Sequence, residues 1–130
     1  MPAMHAPSKD FVLRAAAEAR GRSAEDRVAA RLEEEGWQVL DRRARTPAGE
    51  IDLVVEREGL LVFIEVKARP GLTDAAYALG ARQRQRLLRA AEIWLGEHPG
   101  HGAAGIRFDL LLLDAAGRMR RIADAFRLGD

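Results

Sequence analysis

No cysteine occurs among the 130 residues, which excludes a disulfide framework and thiolate metal sites and suits a reducing, cytoplasmic location. No apolar run approaches the ~20 residues of a membrane span, and Met1-Pro2-Ala3-Met4-His5-Ala6-Pro7 lacks the long apolar core of a signal peptide. A membrane partner is therefore not expected. Charge of one sign is missing too: 21 basic against 20 acidic side chains leave a formal net charge of +1, so binding to a polyanion has to come from local patches. There is no glycine-rich phosphate loop, no Ser-His-Asp set and no zinc motif. His98-Pro99-Gly100-His101-Gly102 holds two histidines, but its proline and glycines make it a turn, and two histidines without further ligands are a weak metal signal.

What is present is a chain with 48% hydrophobic and 32% charged residues, enough for one core and one domain. Residues 21–130 are expected to form it, after a flexible or helical extension over residues 1–20 to which no chemistry is assigned. The informative stretch is Gly49-Glu50-Ile51-Asp52-Leu53-Val54-Val55 and Leu61-Val62-Phe63-Ile64-Glu65-Val66-Lys67, two apolar, β-branched runs around Arg57-Glu58-Gly59. This pattern reads as a β-hairpin whose glycine supplies the positive φ of a tight turn. With Glu58-Gly59 as the two-residue loop, Arg57 faces Leu60, and counting outward Asp52 faces Glu65 and Glu50 faces Lys67, these last four on one face. Ile51, Leu53, Val55, Val62, Ile64 and Val66 alternate onto the other, which is read as the core face.

Like charges directly opposed across strands destabilise a pair, so Asp52 facing Glu65 requires a reason. A hard divalent cation, Mg²⁺ or Mn²⁺, provides one, since it takes one or two carboxylates and keeps waters for a substrate phosphate. Lys67, two residues after Glu65, then orients a water or neutralises phosphate charge. The competing reading pairs Asp52 and Glu65 with Lys67 or an arginine in a purely structural cluster.

Elsewhere, Ser23 with Asp26 approximates a capping box for a helix over 24–35, ended by Gly36. On that helix Val28, Ala29 and Leu32 lie three, four and seven residues after Glu25, which puts a carboxylate in the apolar stripe. It is either a first-turn acid favoured by the helix dipole or a site residue. Trp37-Gln38-Val39-Leu40 starts a strand, and Arg42, Arg43 and Arg45 lead into the loop Thr46-Pro47-Ala48-Gly49, where they either form a solvated face or meet phosphates. Pro70 to Gly80 reads as a long loop containing Tyr77. A helix from Ala81 to Gly96 follows, with Leu87, Leu88, Ala91, Trp94, Leu95 and Gln83 on its inner side and Arg82, Arg86 and Arg89 along one flank, able to clamp a phosphodiester. Residues Ile106–Leu113 form a buried strand in which Arg107 and Asp109 pair structurally. Asp114-Ala115-Ala116-Gly117 is a turn, Arg118 to Ile122 a last strand, and Phe126 docks on the core. The order of elements gives an α/β domain with a mixed central sheet, antiparallel early strands, a parallel crossover through the Ala81 helix, and helices over its faces.

An aspartate followed on the next strand by Glu-x-Lys resembles the PD-(D/E)xK signature of the restriction-endonuclease-like nuclease fold, with Ile51 where that signature has proline. Gly49-Glu50-Ile51-Asp52-Leu53, Val62-Phe63-Ile64-Glu65-Val66-Lys67-Ala68-Arg69 and Arg107-Phe108-Asp109 together resemble the bacterial YraN-like family, over roughly Gly21 to Phe126. The resemblance extends to Gly21-x-x-Ala24-Glu25-x-x-x-Ala29 and implies that Glu25 points at the metal site. It also implies that Gln83 matches the glutamine many such nucleases carry on the helix after Glu-x-Lys. A Mg²⁺- or Mn²⁺-dependent nuclease is thus expected: Asp52 and Glu65 hold the metal, Lys67 assists the water, and Glu25, Glu50 or Gln83 complete the site. Arg42, Arg43, Arg45, Arg69, Arg82, Arg86 and Arg89 bind nucleic acid, DNA before RNA. Junction-cutting relatives of the fold work as dimers, which makes a homodimer an expectation of the same origin. A non-catalytic nucleic-acid-binding module and a protein-interaction domain are the alternatives.

Overall fold

The computed structural model describes residues 9–68 and 80–126. Its first element is one long helix, α1 (Lys9–Glu34), where the sequence suggested a new start at Ser23. The strong helix formers Ala15, Ala16, Ala17 and Ala19 carry the turn through Gly21, whose cost of about 1 kcal/mol is small against so many favourable positions. Helix α1 therefore also crosses the expected boundary between residues 20 and 21. Glu25 consequently lies deep inside the helix, and its reading as a first-turn acid stabilised by the dipole falls. The helix ends as Gly36 requires: at φ 93° the Gly36 N–H donates to the Glu33 carbonyl and the Trp37 N–H to the Leu32 carbonyl, satisfying two terminal acceptors at once.

Five strands follow in a sheet whose spatial order is the chain order: β1 (Gln38–Thr46), β2 (Gly49–Arg57), β3 (Leu60–Ala68), β4 (Gly105–Leu113) and β5 (Met119–Phe126), with α2 (Ala81–Glu97) between β3 and β4. Strands β1, β2 and β3 are antiparallel, α2 is the crossover to parallel β4, and β5 returns antiparallel, the mixed α/β sheet anticipated. The arginines Arg42, Arg43 and Arg45 belong to β1 itself, which runs on to Thr46. Strand β5 similarly extends to Phe126, past the expected end at Ile122. The Glu58-Gly59 turn has φ 52° and 80° and pairs Arg57 with Leu60, the register its two-residue loop dictates.

Both sheet faces are buried, not one. Val28, Ala29 and Leu32 of α1 pack with Trp37, Leu53, Val55, Val62, Ile64 and Leu111. On the opposite side Leu87, Leu88, Ala91 and Trp94 of α2 cover Ala44, Ile51, Val54, Leu61, Phe63 and Phe108. Phe63 stacks on Phe108 at 5.4 Å and meets Trp94 edge-on at 5.6 Å, the offset and T-shaped arrangements that aromatic quadrupoles favour. The face carrying Glu65 thus has its own helix, whose Gln83 reaches that carboxylate. Ile51 also sits in the layer opposite Leu53, although two residues apart on a regular strand they would share a face.

Arg107 and Asp109 form the expected structural pair, a two-pronged bridge at 2.8 Å for each contact, with Asp109 also accepting the Asp124 N–H. The His98–Gly102 turn is tied down by side chains. His98 stacks on Trp94 at 4.1 Å, and His101 Nδ1 and the Gly102 N–H both reach Glu56.

Candidate metal centre

The unusual position of Ile51 locates the site. Arg42 pairs with Leu53 and Ala44 with Ile51; between these pairs lie Asp52 on β2 and, on β1, Arg43 at φ 49°. The two strands change face at this step, and the Asp52 side chain interacts with Glu25 of α1 and with Glu65 of β3. On its other edge, β2 is paired with β3 from Arg57↔Leu60 to Leu53↔Ile64, whereas β3 stays paired with β4 as far as Ala68↔Leu113. Strands β2 and β3 therefore fork just beyond Leu53 and Ile64. Asp52 and Glu65 are the next residues on each arm, the opposition that counting from the turn predicts. The fork removes a ladder partner from the Val66 N–H, and Asp52 Oδ2 accepts it at 2.8 Å.

The Asp52 and Glu65 carboxylates interact, and burial first, then the Glu65 charge, push the Asp52 pKa from 3.8 up to about 7. Glu65 is 7% exposed. Its Oε1 receives Gln83 Nε2 at 3.2 Å and lies 3.3 Å from Lys67 Nζ, while its Oε2 is buried without a hydrogen-bond partner. A buried carboxylate oxygen with no donor is costly. Glu25 acts on Asp52 from α1. Burial raises its pKa, opposed by the hydrogen bond from Arg43 and reinforced by the Asp52 charge.

The remaining expected residues separate into two groups. Arg43 Nε donates to Glu25 Oε2 at 2.7 Å, its Nη2 reaches Asp26 Oδ1 at 3.2 Å, and Arg42 pairs with Asp26 as well. These two arginines are engaged by acids of α1. Arg45, Arg82, Arg86 and Arg89 are exposed and form no ion pair among the described residues. The Arg86 stem lies across Gly49, where an added Cβ would come within 3.0 Å of its Cδ. This sets the basic flank of α2 beside the turn that leads into Asp52. Glu50 pairs with Arg45 in the β1–β2 ladder and is exposed; β2–β3 pairing stops short of an opposition between Glu50 and Lys67. Glu50 is not part of the cluster. Arg69, Tyr77 and the rest of the expected 70–79 loop lie outside the described residues, as do residues 1–8.

The oxygen donors suit a hard divalent cation: two neighbouring carboxylates, one with a spare buried oxygen. Among the described residues no group of three His, Asp or Glu side chains is arranged to hold a metal, which leaves Asp52 and Glu65 as the two residues that would hold one. Sequence reasoning missed Asp26, which stands next to Glu25 and takes up Arg42, and Asp41, whose Oδ2 accepts Trp94 Nε1 at 3.0 Å. It also missed the Val66 N–H as the partner of Asp52. None had a signal in the sequence except Asp26, by its adjacency to Glu25. No described helix is long and apolar enough to cross a membrane.

A protein of Granulibacter bethesdensis is 52% identical over 120 residues, spanning 92% of this chain and 76% of its own. One of Azorhizobium caulinodans is 50% identical over 113 residues, spanning 87% and 86%. Both are described as UPF0102 proteins. The structure of Pyrococcus furiosus SfsA in complex with Ca²⁺ is similar over 83% of this chain and 63% of that one, with 15% identity and a TM-score of 0.31. The model of the uncharacterised protein family UPF0102 matches residues 24–113, two strands, the fork between them and both helix-borne acid and amide included, and the chain belongs to that family.

Proposed function

We propose that the protein is a metal-dependent phosphodiesterase acting on nucleic acid, DNA before RNA. One observation carries this reading: at the β2–β3 fork the half-buried Asp52 carboxylate interacts with the buried Glu65 carboxylate, and Glu65 Oε2 has no protein donor. Desolvated like charges this close are unfavourable unless a proton or a cation lies between them. Asp52 and Glu65 would hold Mg²⁺ or Mn²⁺. Such an ion supplies Lewis-acid charge and acidifies bound water.

The chain's own groups account for the rest. Gln83 and Lys67 fix Glu65 through the same oxygen. Lys67 Nζ, partly exposed beside that oxygen, orients an incoming water and offsets charge on the phosphate. Attack of that water on phosphorus breaks one P–O ester bond and leaves a phosphomonoester end and a hydroxyl end. Arg45, Arg82, Arg86 and Arg89 hold the flanking phosphates, a role that leaves sequence unread. The test is cleavage of linear, flapped and four-way DNA in Mg²⁺ or Mn²⁺ by the wild type and by Asp52→Asn. Metal-dependent cutting lost in the variant is expected. Binding without cutting would leave a nucleic-acid-binding module, and neither metal response nor binding would leave the carboxylates as structural.

A further inference from the structure

Strand β2 begins at Gly49, whose φ of 137° is one that residues with a side chain rarely adopt. The side chain it lacks leaves a slot, and the stem of Arg86 fills it. A Cβ on Gly49 would come within 3.0 Å of Arg86 Cδ, 3.2 Å of Cγ and 3.4 Å of Nε. Both walls of the slot are fixed. On the turn side the Thr46 hydroxyl donates to the Gly49 carbonyl at 2.7 Å and accepts the Ala48 N–H at 3.1 Å. On the helix side the neighbouring Leu87 is buried in the layer beneath α2, against which Ala48 of the turn also packs. Arg86 itself is exposed and charged, yet its stem does not sweep freely. Gly49 stands three residues before Asp52, about 10 Å along an extended strand, so the seated guanidinium lies on the approach to the fork. A long side chain ordered before its partner arrives loses less freedom on binding than one ordered by it, a difference of about 2–12-fold in affinity.

We infer that Gly49 is a positioning residue for phosphate binding: its bare backbone seats the Arg86 stem and holds that guanidinium ready for the DNA backbone beside the site. This rests on the nucleic-acid reading above, on its binding half and not on cleavage.

The experiment is duplex-DNA binding by the full chain in EDTA, followed by fluorescence anisotropy across a salt series, for wild type, Gly49→Ala, Arg86→Ala and the double variant. In Gly49→Ala the flexible Arg86 side chain swings off its seat and keeps its charge. Affinity should fall about 2–12-fold, with the slope of log K against log[salt] unchanged because the same phosphates are still neutralised. Arg86→Ala should lower the steepness by about 0.9, and Gly49→Ala added to it should cost nothing more. A glycine needed only for the shape of the turn would weaken binding equally with and without Arg86, and that result overturns the proposal. So does wild-type affinity in Gly49→Ala. If that variant fails to fold, Thr46→Val keeps the glycine and removes the hydroxyl that holds its carbonyl. A loss of affinity present with Arg86 and absent without it is expected there too, and no loss, or the same loss in both, overturns the proposal. Those results leave metal-dependent cleavage standing or falling by its own test, whereas a wild type that binds no DNA ends both readings.

Discussion

Asp52→Asn puts the electrostatics of the fork to a direct test. An acid whose folded pKa is raised from 3.8 to about 7 keeps its proton in the folded state through that interval, while the unfolded chain has released it. Folding then takes up a proton. The contribution of Asp52 is therefore most favourable below about pH 4, declines as pH rises toward 7, and levels off above it. At about 1.4 kcal/mol per unit the full interval amounts to roughly 4 kcal/mol, of which about 3 kcal/mol falls between pH 5 and pH 8. Asparagine keeps the acceptor for the Val66 N–H and carries no charge. In EDTA, Asp52→Asn should consequently gain on the wild type by about 3 kcal/mol from pH 5 to pH 8, roughly 10 °C in melting temperature for a domain of this size. Saturating Mn²⁺ should close most of that gap. Metal at 100 times its Kd stabilises the wild type by about 2.7 kcal/mol, and the variant should not respond. Paired melts at the two pH values, with EDTA and with millimolar Mn²⁺, read all of this. A variant about 3–5 kcal/mol less stable than wild type in EDTA at pH 8, with a wild type indifferent to Mn²⁺, would refute the reasoning and show a structural charge cluster.

Lys67→Ala should abolish cleavage while leaving the Mn²⁺-induced rise in melting temperature in place, since Lys67 touches Glu65 without being a ligand; loss of both would move Lys67 into metal binding. Arg86→Ala should lower the steepness of log K against log[salt] for duplex DNA by about 0.9, measured in EDTA by fluorescence anisotropy, and an unchanged slope would remove Arg86 from the phosphate path. Gly36→Ala should cost about 1–2 kcal/mol in urea denaturation. A Cβ there meets nothing closer than 3.8 Å, so the whole effect belongs to φ 93°, and a neutral result would mean that the helix end relaxes freely.

The local rules of the chain were enough for the elements and for the opposed carboxylates. Alternating apolar residues around Glu58-Gly59 set the β2–β3 register, because a two-residue turn allows little choice and a slip by one would expose every core side chain on the hairpin. That placed Asp52 opposite Glu65 and Lys67 beside it with no tertiary information, and Gly36 stopped α1 for an equally local reason. Three features needed the folded chain. The hairpin has a second buried face because α2 returns over Val54, Leu61 and Phe63, and a run apolar on both sides does not by itself tell which side carries the site. The change of face at Arg43 and Asp52 comes from a backbone conformation for which Arg43 has no propensity. The partners of Arg42 and Arg43 lie on α1, 16 to 18 residues earlier in the chain. Arginines of a strand could equally have faced phosphate, and only the packing of α1 against the sheet brought Glu25 and Asp26 close enough to take them, since an ion pair depends on distance in space and the chain specifies that distance only after its cores are formed.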